Sequence, residues 1–587
     1  MHLLVTLATR VAHTAETCAV PGDAETVAAA IAAGCETIEL GADYVTEASP
    51  ILLQRDLAIV GAGTDGPALP PIGVDAVALT LTDVRFEHAT TFVLDTGEGA
   101  LGALIVEDGT LTVDGLALAV EDGFGLIVID SVADVRACEA RGYSTYAPVV
   151  GLTDDGDVDL TLSGCTFEDN GGGTVGVQDG TRRDSRLVVR ESTFRGNVGL
   201  YDEAVGGTLG ADLILQDVDE VTLEDVTFAD AFASAWGGSM VAMGSTVTIT
   251  GGAYTGNAAG ECASILLANG GSLVVDGTTF EGGEAESGGG EVCAAGASVT
   301  LRNVTSTGAK AAYGGFLWLS SGAEGTLEDS VVTGITTGYG VLLGYQAGGL
   351  TVTRSRLCEN VATSTGGAIW VEQTPVTVEH SLFVANEGPT GAVLDATDSD
   401  VVFADNTVVD AGDAIRTSGG TVVLENDLFA GATLAARVVG ASDASRAGWN
   451  LFDAVDDEIT GVASAGGDVH DAPGFADGWD ATDCESTPWL DAGSPAVDAG
   501  SPDRPDEDGT VGDIGAFGVA PSDTGDAEEA SVVLDLRGGR ACGCDAGRAG
   551  ATWLALATAA LAIRRSGPSR RAAGCWPPSP SARRGPR

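Results

Sequence analysis

Few residues of this chain are of a type and spacing that does chemistry. Arg182, Arg183, Arg186 and Arg190 form the one basic cluster of the body. Such a cluster can grip a uronate carboxylate, but no neighbouring His or Lys completes a lyase set, and ordinary surface pairing reads the same way. Asp154-Asp155 and Asp456-Asp457 set carboxylates side by side, as general acid and base work in a glycosidase requires; solvated turn carboxylates give the same pattern. In DRPDEDG (503–509), Asp503, Asp506 and Asp508 precede Gly509, and Asp513 follows. Oxygen ligands strung along such a turn suit Ca2+, although the full EF-hand spacing is absent and an acid-rich capping turn is the alternative. Ca2+ is the one cofactor the sequence suggests. Trp318 and Trp370 flank Gly344 at equal intervals of 26. Two aromatic faces of that kind stack on sugars if the chain puts them on one exposed line.

What would position these residues is a repeat. CTFEDN, STFRGN, VTFADA, GAYTGN, TTFEGG, VTSTGA, SVVTGI, SRLCEN, SLFVAN and NTVVDA align on Phe167, Phe194, Phe228, Tyr254, Phe280, Ser306, Val332, Leu357, Phe383 and Val408, at intervals of 27, 34, 26, 26, 26, 26, 25, 26 and 25. Asn recurs three positions later at Asn170, Asn197, Asn257, Asn360 and Asn386, and a Gly-rich stretch follows. Strands with two-residue alternation precede each anchor, such as SLVVDGT and LTVTRSR. One such unit cannot bury its apolar side alone; stacked units can, about 4.8 Å apart. The expected fold is therefore all-β, a solenoid of parallel strands with an internal stack at the anchor and an Asn ladder at a turn. A propeller blade, at about 40–45 residues, is too long a unit. In GGFLW, YGVLLG and GGAIW the residues Leu317, Leu343 and Ile369 are aliphatic and so face inward, which turns Trp318 and Trp370 outward, about 10 Å apart across Gly344. The rings either present their faces or tuck under turns.

Composition narrows the function. The chain has 587 residues, 85 acidic against 28 basic, net −57; yet 44% are apolar and mean hydropathy is +0.19, which excludes global disorder. Residues 537–587 carry ten Arg and only Asp545, so residues 1–536 hold 18 − 84 = −66. With Lys310 the only lysine, no basic stripe exists for nucleic acid. Anionic polysaccharides are repelled as well, unless a divalent cation bridges them. Residues 1–18 make a poor export signal, short in apolar residues and with no basic residue before them; they read as a degenerate signal or a misassigned start.

The repeat resembles the right-handed parallel β-helix, the pectate-lyase-like fold, over about residues 36–520, most of the chain. Residues 24–33 read as a helix with Asp23 as N-cap and Gly34 as stop, placed to cap the first coil, and 494–518 resembles a segment that closes such β-helices. The resemblance organises the chain as a β-helix with its cap at 19–520, an acidic linker at 521–541, a tail at 542–565 and a basic Pro-rich extension at 566–587. In the tail, Cys542-Gly543-Cys544, the apolar run 549–563 and Arg564-Arg565 resemble the MYXO-CTERM sorting signal. That resemblance implies export and cell-surface display, with membrane contact only through the tail; a frayed or buried helix is the alternative. The extension past Arg565 departs from the pattern. An oxidising destination would let Cys138 and Cys165 pair, at equivalent places in the repeat, and likewise Cys262 and Cys293 once a short insertion is allowed; Cys18 and Cys35 flank the cap helix and can staple it. Cysteines in these places can equally be small buried residues; Cys358, Cys484 and Cys575 have no assigned partner. The family includes lyases, glycosidases and non-enzymatic surface proteins. The expected function is structural or adhesive, with extracellular polysaccharide or surface glycan as partner. The alternative is a polysaccharide lyase or glycoside hydrolase.

Overall fold

A computed structural model describes residues 16–519, apart from 47–48, 62, 64–65, 94–98, 121–122, 154–155, 181–183, 204 and 506–509. The strands coil into a parallel β-solenoid of the right-handed type, about 15 turns long. Each repeat gives two strands to one long sheet, for example Ser298–Arg302 and Thr305–Thr307, and one to a second sheet, for example Leu317–Ser320. The two long-sheet strands meet at a left-handed bend, held by Asp225, Asn303, Asp329 or Asp405 in different coils. Asp and Asn tolerate that conformation better than other side chains. Part of the chain's acidity is thus a bend-forming requirement repeated along the solenoid.

The anchors fall where the repeat predicts. Phe167, Phe194, Phe228, Tyr254, Phe280, Ser306, Val332, Leu357, Phe383 and Val408 pair in one unbroken register. Their rings stack at 4.7–5.0 Å from Phe167 through Phe280, an offset geometry that adds to plain burial. The Asn ladder also forms: the Asn197 side-chain oxygen accepts from the Asn170 backbone N (2.9 Å) and Nδ2 (3.1 Å), and Asn386 does the same for Asn360. These bonds satisfy backbone donors that the turn would otherwise leave buried and unpaired.

At the start, the cap helix runs Val27–Ala33 and ends at Gly34, whose φ of 97° needs glycine. Its N-cap is Thr26, not Asp23: Thr26 Oγ1 accepts from Ala29 N, while the Asp23 carboxylate turns back to Ala19 N. A strand at Thr17–Val20 precedes the helix and pairs with Thr37–Leu40. The fold therefore begins before residue 19, inside the stretch read as a signal or misassigned start.

After Ser464–Gly466 the chain leaves the coils. The described residues of 470–505 and 510–519 run back along the outside of the long sheet as a strap, so those of the segment 494–518 cover a flank rather than the last coil. The strap buries Leu382, Val384, Val409, Leu428 and Leu451. Cys484 is disulfide-bonded to Cys358, and Arg356 donates to the Cys484 carbonyl at 3.1 Å. Arg504 ion-pairs with Glu379 (2.8 Å) and Asp405, and the Asn426 side chain accepts from Ser501 N. Residues 521–541, the sorting residues Cys542, Cys544, Arg564 and Arg565, Cys575 and the extension 566–587 lie outside the described residues.

Candidate functional site

The outward face of the second sheet is unusual because it is apolar. One row runs Ile127, Val150, Gly176, Ile214, Val241, Leu266, Cys293, Trp318, Leu343, Trp370, Asp395, Arg416. A third, eight-stranded sheet, from Leu200–Asp202 to Val361–Thr365, folds over much of this row. Its Trp236 packs with Val241, Leu266 and Cys293.

The two tryptophans are on this row, facing outward as expected, but the register corrects the rest. Leu343, not Gly344, stands between them, and it is 1% exposed. The step from Trp318 to Leu343 is one residue shorter than equal spacing assumes, and the step on to Trp370 is one longer. Gly344 faces inward, where a Cβ would lie 2.8 Å from the Thr374 side chain. Trp370 is 8% exposed, set edge-on against Tyr339 at 5.8 Å. Trp318 is half-buried beside Tyr313, 6.4 Å between centroids. The flank sheet covers the rings instead of leaving a sugar-stacking line.

The cover ends at the coils of Val149–Thr153 and Val175–Asp179, and there the row opens into a cleft of about 510 Å³. Val150, Leu152, Gly176 and Gln178 form its floor with Ile214. Phe124 and Tyr146, edge to face at 5.1 Å, make one wall. The antiparallel pair Leu200–Asp202 and Gly207–Leu209 supplies Leu200, Tyr201 and Thr208 to the other. Gly171–Gly173 close a side; at Gly172 a Cβ would lie 2.4 Å from the Thr145 carbonyl oxygen, so only glycine lets the two turns meet. Among the described residues, none lining the cleft is Asp, Glu, His, Lys or Arg. The repeat does not announce the cleft, but one trace of it stands in the sequence. The Phe194-to-Phe228 interval of 34 is the long one, and its extra residues build the pair at 200–209.

The remaining candidates are not brought together. Arg186 lies between Asp159 and Glu220 at 3.5 Å each, and Arg190 pairs with Glu224 at 2.6 Å, across coils of the long sheet; Arg182 and Arg183 lie outside the described residues, as do Asp154 and Asp155. Asp457 is exposed. Asp503 is exposed and Asp513 accepts from Asp498 N, while Asp506 and Asp508 lie outside the described residues. Among the described residues no group of three or more His, Cys, Asp or Glu is placed to hold a metal.

No protein-family model and no curated protein matches the chain. What the residues themselves offer beyond the cleft is three carboxylates buried to 0% exposure, Asp212, Glu291 and Asp427, that sequence reasoning missed. Burial pushes Asp212 up to about 7, against hydrogen bonds from Asn197 and Ser239. Burial pushes Glu291 up to about 7 as well, while Ser264 (2.6 Å) and Gly283 N (2.9 Å) favour its charged form. Asp427 is raised by burial too. Asp212, Ser239, Ser264 and Glu291 occupy one interior step, linked backbone to backbone on successive coils. Aligning the residue before each second-sheet strand would have exposed that polar column.

Four disulfides form: Cys18–Cys35, Cys138–Cys165, Cys262–Cys293 and Cys358–Cys484. Cys138 and Cys165 sit at matching places on neighbouring coils, Cα atoms 4.4 Å apart. Cys262 and Cys293 pair for another reason. Leu266, not Cys262, is the register partner of Cys293; Cys262 lies in the preceding corner, so this bond ties the corner to the outward row. Four such bonds fit an oxidising compartment.

Proposed function

We propose that this chain is an exported, cell-surface β-helix that binds neutral glycans without cleaving them, and that the cleft beside Gly176 is where it does so. One observation carries the reading: the cleft has aromatic walls and hydroxyl-bearing Ser144, Thr145 and Tyr201, but no charged side chain among its described residues. Aromatic faces with a few polar groups are what a small-molecule site needs for affinity and orientation. Acid and base groups converging on a scissile bond are what hydrolysis or elimination needs. The net −66 over residues 1–536 favours neutral chains, or anionic ones only with Ca2+ as a bridge. The disulfides and the tail's CGC, apolar run and Arg pair support export and display. The test is full-length protein on a glycan array, with Ca2+ and with chelator, alongside an assay for new reducing ends or unsaturated uronate. Neutral oligosaccharides should be retained intact; product release from any polysaccharide would reassign the chain to the lyases or hydrolases.

A further inference from the structure

Resting on the glycan-binding reading, we infer that Gly176 and Gln178 form a subsite for a single uncharged sugar ring that donates a hydroxyl hydrogen bond to the Gln178 carboxamide. The argument begins with what is missing from the row. Ile127, Val150, Ile214 and Val241 all put a side chain outward at the step where Gly176 has none. A Cβ there would meet no atom within 4 Å, and the backbone of Gly176 is not in the left-handed region. Neither strain nor close packing requires glycine at this place; its effect is a depression in the cleft floor.

Two residues on, and therefore on the same face, Gln178 reaches the floor between Leu152 and Gln216. Its side-chain oxygen is buried and has no hydrogen-bond partner among the described residues. A buried acceptor left unpaired is costly, so an occupant that donates to it is favoured. An occupant must therefore be flat and apolar enough to lie over Gly176 against Phe124 and Tyr146, and must carry a donor at its edge. A pyranose meets both needs, with an aliphatic face and hydroxyls around its rim. A uronate or sulfated ring meets neither a cation in the described lining nor a favourable field.

Two variants test this on full-length protein, using immobilised neutral oligosaccharides and the monodeoxy methyl glycosides of the best binder. Gly176→Leu should refill the depression and weaken binding at least 50-fold with its melting temperature kept. Gln178→Met should weaken the parent sugar about tenfold, yet bind one monodeoxy congener as well as wild type does, because that congener lacks the donating hydroxyl. Wild-type binding that survives Gly176→Leu overturns the subsite while leaving glycan binding intact. Equal losses for every congener with Gln178→Met overturn the hydrogen bond. If the wild type retains no neutral sugar, the underlying reading itself fails; if it retains a simple phenol but no sugar, the ring is aromatic and the sugar assignment is wrong.

Discussion

Two outward faces of this solenoid are apolar, and they are covered in different ways. On the long sheet, Leu382, Val384, Val409 and Leu428 lie under the strap, which is fastened by the Cys358–Cys484 bond, by Arg356 and by Arg504. On the second sheet, Val241, Leu266, Cys293, Leu343 and Trp370 lie under a sheet grown from the coils themselves. The strap comes from far along the chain and needs a fastening at each contact. The flank sheet is built locally, one strand per coil after the opening pair at Leu200–Asp202 and Gly207–Leu209, and stops where the coils stop supplying strands. A cover of the first kind seals its face. One of the second kind leaves an open end, and the cleft is that end.

Cutting the fastening should give the largest effect. The Cys358–Cys484 bond joins residues separated by 126 positions, and loops of that order are stabilised by about 4–5 kcal/mol in the chain-entropy account. Replacing both cysteines by Ala should lower the melting temperature and open residues 470–505 to limited proteolysis. A strap that stays resistant would show that Arg504 and the apolar face suffice.

A pH titration separates the two faces next. Asp212 has its backbone carbonyl bonded to Val175 N, in the cleft's own coil. Its folded value of about 7 exceeds its ordinary 3.8. The folded state therefore holds the proton more tightly, and stability contributed by the neutral acid is full below about pH 4 and lost as pH rises to 7. At about 1.36 kcal/mol per unit the loss is up to about 4 kcal/mol. Asp212→Asn should thus raise the melting temperature at pH 8 and leave it nearly unchanged at pH 4. On the strapped side Asp427 is also raised, by burial first, with the neighbouring Asp405 charge adding to the shift and hydrogen bonds from Asn406 and the Arg504 charge opposing it, so a neutral variant there should also gain at pH 8. A gain at one site alone would set the two faces apart.

Trp370→Ala tests whether the flank sheet truly buries its row. A packed ring of this kind costs about 3–5 kcal/mol when fully truncated. Because Trp370 stands next to the row's charged end at Asp395, we expect the lower figure, and a smaller loss for the half-buried Trp318. Neutral variants would mean that the rings are presented after all. The smallest effect belongs to Lys310→Met, which removes an exposed 3.0 Å pair with Glu284 on the flank sheet; it should cost less than about 1 kcal/mol, and calorimetry should barely register it.

The fold was legible because it repeats. Phe194, Phe228 and Tyr254 each sit above an identical step, so one side-chain type recurs where one environment recurs. The cleft was not legible for the opposite reason. It depends on where a cover ends, and no position of the repeat marks that end. The misaligned tryptophans show the limit between these cases. Coil length varies slightly in the loops, so the coil between Trp318 and Trp370 presents Leu343 where an even count presents Gly344. Half-buried Trp and buried Trp look the same in sequence; only Tyr313 and Tyr339, contributed by the flank strands, decide which is which. The Cys262–Cys293 bond follows from no equivalence between its two ends and forms through a corner instead.

The strap returns the chain to the coil of Thr407, with three further levels of the long sheet, at Leu428, Leu451 and Ser464, beyond it. Ala516 N is bonded to Thr407 Oγ1, and Val519 pairs with Leu490. The described chain therefore ends beside the coil of Thr407, not at a tip of the rod. The cleft's Gly176 lies about eight coils away along the register, about 40 Å at about 4.8 Å per coil. A probe attached at that point would therefore sit far from the cleft and would report the rod's length rather than what the cleft holds.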